Sequence, residues 1–372
     1  MPRQPNARLA EVMRRTGCSN TSLASRVQAV AREQGAELKC MHVDVRRWLD
    51  GVMPRPATAQ FIATLGVVVV PSAWSGPMLN WLLSRPEPIP VRNGGRVNVG
   101  DPDVQVVRMT AQMFMTMDFQ FGGGHARAAL AQYYVNDVCP LLEGRFTEQV
   151  GRRLFSAAAE VAQLLGWTAY DIGRHGLAQR YLIQALRLAQ EADDRMMGGR
   201  LLSNMSHQAA YLGNFDLAVQ LARAAQEGSR NAASATTMAM FLAMEARAHA
   251  GNGEDGACSR ALREAERYFE KSDSADDPLW IRYFDAAELA GEGAHCFRDL
   301  RNPRTTHEFV TRAIELTDPV YVRTLAFVRL VHAASYVQQR EPGQGRGSAR
   351  GDRTGGQPEV APVFAIHPGS AQ

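Results

Sequence analysis

Lys39, His42, Arg46, Arg47 and Arg55 are the residues whose types and spacing suit a definite chemistry, and all five fall within residues 39–56. An arginine side chain presents a planar fork of N–H donors that matches guanine O6 and N7 in a major groove. Lysine, histidine and a flanking arginine suit phosphate oxygens, which position a protein without specifying sequence. A second set, Trp167, Tyr170, Arg174 and Asn204, combines aromatic faces with a cation and an amide. Such groups line grooves that hold a peptide, a partner helix or a small ligand. No third set suits catalysis. The nine histidines are dispersed, with no H-x-x-x-H, and no G-x-S-x-G occurs. The acid pairs Asp193-Asp194 and Asp276-Asp277 fall at helix ends and loops, where solvated acids are common. Five cysteines, odd in number and without a C-x-x-C, support neither a zinc site nor a disulfide framework. No catalytic residue, metal or cofactor is expected.

The basic set needs a helix to position it. Met41, Val45, Trp48 and Leu49 follow the i, i+4, i+7, i+8 spacing of a buried helical back. Val43, Asp44, Arg46, Arg47 and Asp50 fall on the opposite arc, with His42 at its edge. Gly51 stops the helix and Pro54 prevents its continuation. Two helices precede it. One carries Leu9, Val12 and Met13; the other is N-capped by Asn20 or Thr21 and carries Leu23, Ala24 and Val27. A fourth, Ala57 to Leu65, completes a small bundle. Residues 1–56 hold ten basic and five acidic side chains, so the chain's net charge of +3 conceals a basic N-terminal segment on a near-neutral body. Spacing alone leaves two readings: a DNA recognition helix, or an exposed face laced by Arg46–Asp50 and Asp44–Arg47 ion pairs.

The string Val45-x-Arg47-Trp48-Leu49-x-Gly51-x-x-Pro54-Arg55-Pro56, with Leu23-Ala24 before it, resembles the XRE (Cro/C1-type) helix-turn-helix of actinobacterial regulators. The segment between Leu23-Ala24 and the third helix is about ten residues longer than in the compact form of that motif. Phe121-Gly-Gly-Gly-His-Ala-Arg-Ala-Ala-Leu130 is similar to a central motif of the same regulators, which include Streptomyces negative regulators of sporulation and antibiotic production. The resemblance implies a DNA-binding repressor, with Lys39, His42, Arg46, Arg47 and Arg55 at the DNA.

Residues 84–103 hold four prolines and three glycines and read as a linker. Asp101-Pro102 starts the next helix, Asp101 capping it. Its Met109, Met113, Phe114 and Met117 stripe reads as core filling. Gly122–Gly124 lacks the G-K-[ST] of a phosphate loop and reads as a turn between helices. Beyond residue 154 a 40-residue period dominates. It sets Gly173, Gly213 and Gly253 in register, as it does Ala178, Ala218 and Cys258, and Ala185, Ala225 and Ala265. Glycine turns with small residues on the following helix are the logic of a tetratricopeptide (TPR) repeat, and Leu165-Gly166 falls where that pattern wants Leu-Gly. A fourth unit, with an insertion of about eight residues, has a long helix from Leu279 to Leu300, a turn near Arg301–Arg304, and Thr306, Val310 and Ala313 at the small positions. A fifth first helix runs from Val322 to Gln339. Stacked helix pairs form a superhelix with a concave groove, which serves either as a ligand surface or as a scaffold for packing and dimerisation.

Extending the period puts Arg346, Arg350 and Arg353 at small positions, and residues 341–372 contain seven glycines and four prolines. This tail is expected to be disordered. The apolar face Leu325, Val328, Val331 then needs another cover: a second protomer, or a continuation lost to an altered reading frame. With 45% apolar and 21% charged residues, no run of about 18 apolar residues and no hydrophobic leader, a cytoplasmic protein is expected. The expected fold is all-α: a helix-turn-helix domain (1–83), a linker (84–103), a connecting helical segment (104–153), a TPR-like α-solenoid (154–340) and the tail. The expected function is a homodimeric regulator binding double-stranded DNA, with a peptide, protein or small molecule in the groove; the rival is a TPR adaptor that binds a partner and no DNA.

Overall fold

The computed structural model describes residues 10, 13, 19–21, 23–25, 28, 39–50, 52, 72–83, 97–273 and 275–339. Among them the fold is all-α, and the one β-type pairing is an isolated bridge between Asn98 and Arg145. The helices are α1 (His42–Leu49), α2 (Ser72–Leu83), α3 (Asp101–Phe121), α4 (Gly123–Tyr133), α5 (Cys139–Leu142), α6 (Glu148–Asp171), α7 (His175–Glu191), α8 (Arg195–Tyr211), α9 (Phe215–Ser229), α10 (Ala235–Gly251), α11 (Asp255–Phe269), α12 (Ala286–Asp299), α13 (Pro303–Leu316) and α14 (Val322–Gln339). None of them is long and apolar enough to cross a membrane. The expected fourth helix (57–65), Arg55, most of the linker and the tail lie outside the described residues.

Helices α6 to α13 pair in succession and the pairs stack into a solenoid. The period has a direct physical cause. Gly173, Gly213 and Gly253 have φ of +74°, +75° and +76°, a left-handed conformation that costs an L side chain about 1 kcal/mol or more. A β-carbon at any of the three would meet nothing within 4 Å, so the turn, not crowding, selects glycine. In the fourth unit Arg301 takes that place at φ +56°. The small positions are closed: Ala178, Ala218, Cys258, Ala185, Ala225 and Ala265 are wholly buried, as are Thr306, Val310 and Ala313. Gly166 lies against Leu182, with room for no β-carbon. Its counterparts are Ser206, Ala246 and Ala294, a further small-residue register, all buried.

Several boundaries differ from expectation. Helix α2, placed by the sequence in the N-terminal domain, packs on α7, α8 and α9. Its Trp74, Met78 and Trp81 belong to the solenoid core, and Arg195 Nη1 donates to the Trp81 carbonyl at 2.8 Å. The core also runs without a break through α3 and α4, so residue 153 marks no boundary. Gly100, not Asp101, caps α3; its N–H donates to Asp103 Oδ2 at 2.8 Å. Phe114 is buried, yet Met109 and Met113 are 67% and 53% exposed, so that stripe is only partly core. The glycine turn is real, and Gly123 packs against the Thr168 backbone too closely for a side chain.

The long fourth-unit helix is interrupted. A 3-10 turn (Leu279–Ile281) buries Trp280 and Ile281, and α12 begins only at Ala286. The inserted residues therefore form a loop and turn that plug the core. Val328 and Val331 of α14 need no further cover, because they pack on Ala290, Ala294, Val310 and Ala313. The start of α14 is fastened across the array: Arg323 donates to Asp171 Oδ1 at 2.6 Å and to the Asp118 carbonyl at 3.3 Å. Asp171 Oδ2 in turn accepts the Gly123 N–H at 2.8 Å.

Candidate ligand groove and nucleic-acid interface

Helix α1 starts at His42 because Met41 is extended (φ −115°, ψ 164°) and serves as the cap. Asp44 Oδ2 accepts the Met41 N–H at 2.9 Å, and the Asp44 N–H donates to the Met41 carbonyl at 2.9 Å. A carboxylate in the first turn also complements the helix dipole. Gln28 Nε2 donates to the Cys40 carbonyl at 2.7 Å, joining the preceding segment to the helix start. Val45 and Trp48 are buried and Leu49 half-buried, as a helical back requires. Met41, expected there too, is 60% exposed, because a cap residue lies off the helical face. Cys40 is buried, and burial, then the charge of Asp44, pushes its thiol up to about 11; it is a packing residue.

Lys39, His42, Arg46 and Arg47 are all exposed. Among the described residues neither Arg46–Asp50 nor Arg47–Asp44 closes into an ion pair; Asp44 instead accepts the Met41 N–H. Arg46 and Arg47 thus form an exposed two-arginine face over the buried Val45 and Trp48. Arg55 lies outside the described residues.

The expected groove residues Trp167, Tyr170 and Asn204 lie on the first helices of successive units. Trp167 and Tyr170 of α6 meet, their ring centroids 5.3 Å apart. Around Tyr170 stand His175, His207 and Tyr211 at 5.4–5.5 Å. Asn204 accepts from Gln163 Nε2 at 3.0 Å one turn away. Arg174 follows the Gly173 turn and is the N-cap residue of α7. The sequence reading missed the charged half of the face. Arg247 of α10 donates to Glu292 of α12 at 2.6 Å, both nearly buried. Glu288 lies one helical turn before Glu292, and His295 follows on the same helix. A signal for them existed. Trp167, His207 and Arg247 are 40 residues apart, and His295 follows after 48, the period plus the insertion.

Burial sets the protonation of this face. It lowers His207 to about 3, with the Arg247 charge acting in the same direction. His295 is held well below its usual value by burial and by Arg247. Burial, then Glu292 and Asp285, push Glu288 up to about 8. Burial opposes the charge on Arg247, but Glu292 and Asp299 outweigh it and hold the guanidinium protonated. The face is thus a neutral imidazole pair, a protonated acid and one closed ion pair beside an aromatic cluster. Such a face suits shape and hydrogen bonding more than net charge. No group of three or more His, Cys, Asp or Glu among the described residues could hold a metal ion.

Residues 9–65 match the family described as the SP15 N-terminal domain. The match ends before α2 begins, in keeping with the docking of α2 on the solenoid. No curated protein and no solved structure matches the chain.

Proposed function

We propose that the chain is a DNA-binding transcriptional regulator whose solenoid controls an N-terminal helix-turn-helix. The observation that carries this reading is the α1 surface: exposed Arg46 and Arg47, with no acidic partner among the described residues, over buried Val45 and Trp48. Lys39 and His42 extend the same basic surface towards phosphates, and Arg55 follows in sequence. Two copies of the module, paired as a homodimer, read two half-sites of double-stranded DNA. The resemblance to actinobacterial regulators favours repression of developmental or secondary-metabolism genes in the cytoplasm. The concave face with Trp167, Tyr170 and Asn204 receives a regulatory small molecule or peptide, and α2 is the segment through which a change in the array reaches the N-terminal module.

The test is selection of bound fragments from the host genome by the full-length chain, followed by titration at several salt concentrations. A regulator touching several phosphates loses affinity steeply and log-linearly with salt, and recovers a common sequence. A folded protein that retains no genomic fragment at low salt overturns the proposal in favour of an adaptor that binds a protein partner without DNA.

A further inference from the structure

We infer that the cleft between the first turns of α13 and the last turns of α14 binds a small organic oxyanion, a carboxylate or phosphate carried on a flat or apolar body. The inference rests on the cleft alone and stands whether or not α1 reads DNA. A cavity of about 420 Å³ opens there, lined by Arg304, His307, His332, Ser335, Tyr336 and Gln339. That volume lies within the range of about 300–1,000 Å³ typical of small-molecule sites. No carboxylate is among the described residues that line it.

Its polar groups supply several donors. His307 Nδ1 and His332 Nε2 are 2.9 Å apart, with rings 28° from parallel, so the two imidazoles share one N–H···N bond. Each neutral imidazole has one N–H and one lone pair. Whichever ring donates inside the pair, one outward nitrogen therefore always carries a hydrogen. Arg304 stands at the rim with 91% of its side chain exposed, 3.4 Å from the exposed Glu308. Exposed pairs of this kind are worth about 0–1 kcal/mol, which leaves the guanidinium fork to an incoming oxyanion, the geometry it fits best. Tyr336 and Gln339 offer a hydroxyl and an amide. Ser335 is already used, donating to the His332 carbonyl at 2.8 Å.

The cavity exceeds a bare anion, and the His332–Tyr336 ring contact at 4.7 Å among its lining suits a flat body. The site also has leverage. Helix α14 buries only Val328, Val331 and Ser335, and its far end carries the Arg323–Asp171 fastening. A ligand joining Arg304 to Tyr336 adds to the His307–His332 bond in holding α13 against α14, at the end opposite the Arg323–Asp171 fastening.

The experiment is carbethoxylation of histidines in the full-length chain, read by mass spectrometry, with inorganic phosphate or benzoate as probe and chloride at matched ionic strength as control. Protection of His307 and His332 by either probe, with exposed His42 and His125 unchanged, supports the site. Protection by benzoate alone assigns a carboxylate, and by phosphate alone a phosphate. Arg304→Gln, a change at an exposed side chain, should raise the concentration needed at least tenfold while leaving the melting temperature unchanged. The site is overturned if neither probe protects, if Arg304→Gln protects as well as the parent, or if zinc(II) alone protects, which would make the histidines a metal half-site.

Discussion

The indole of Trp81 fills the space a side chain on Gly198 would need: an added β-carbon would stand 2.1 Å from the ring nitrogen. Gly228 meets the far edge of the same ring equally closely, and the Arg195 guanidinium covers it at 5.5 Å. Two glycines of the second repeat thus form a seat for one residue of α2. Trp81→Ala should cost about 3–5 kcal/mol, and Gly198→Ala about 1–3 kcal/mol from overpacking. The double variant should cost less than the sum, because the methyl enters the vacated space. Urea unfolding of the four proteins measures this; strict additivity would mean that Trp81 and Gly198 do not compete for one volume.

Arg47→Ala should weaken specific DNA binding by about 1–3 kcal/mol and leave the melting temperature unchanged, since the side chain is exposed. Asp44→Ala should behave differently. It removes the acceptor of the Met41 N–H, and loss of such a cap costs about 0.5–2 kcal/mol of helix stability. Calorimetry beside a DNA titration separates the two; an Arg47 variant with unaltered affinity would remove α1 from the interface.

At the concave face, Arg247→Met leaves Glu292 nearly buried without its partner. Stranding one member of such a pair costs about 3–5 kcal/mol. Arg247→Met combined with Glu292→Leu should recover most of that loss, since a buried pair is often replaceable by apolar residues. If the double variant is as unstable as the single one, the pair contributes more than its own charge balance.

The pH dependence has two opposing parts. His207, lowered to about 3 in the folded chain, binds fewer protons than in the unfolded chain, so stability falls as pH drops below about 6.5. Glu288, raised to about 8, holds a proton that the unfolded chain has released, so stability falls as pH rises from about 4.5 towards 8. Between pH 6.5 and 8 the acid dominates, and stability should decline by up to about 1.4 kcal/mol per pH unit. Glu288→Gln should flatten most of that slope in urea melts across this range; an unchanged slope would show that Glu288 is ionised in the folded chain.

Arg301 holds a glycine's conformation with an L side chain. Arg301→Gly should stabilise the fourth unit by up to about 1 kcal/mol, while Gly213→Ala should destabilise its turn by at least that much. Thermal melts compare them directly, and equal effects of one sign would contradict the shared turn geometry.

The sequence by itself determined the solenoid. Left-handed turns need glycine and closely packed helices need small side chains, so both constraints are written at fixed intervals, and Gly173, Gly213 and Gly253 stand where the period put them. It likewise determined the back of α1, because Val45 and Trp48 are separated by less than one turn of helix and must share a face. Tertiary structure decided the rest. It assigned α2 to the array through a fit between Trp81 and two glycines 117 and 147 residues further on, and no local pattern encodes such a contact. It turned Asp44 from an expected ion-pair partner of Arg47 into a cap, which depended on the backbone of Met41 being extended. It also joined Arg247 to Glu292 and emptied His207 of its proton. Charge and protonation are set by what lies across a groove, and the residues across this groove come from separate repeats.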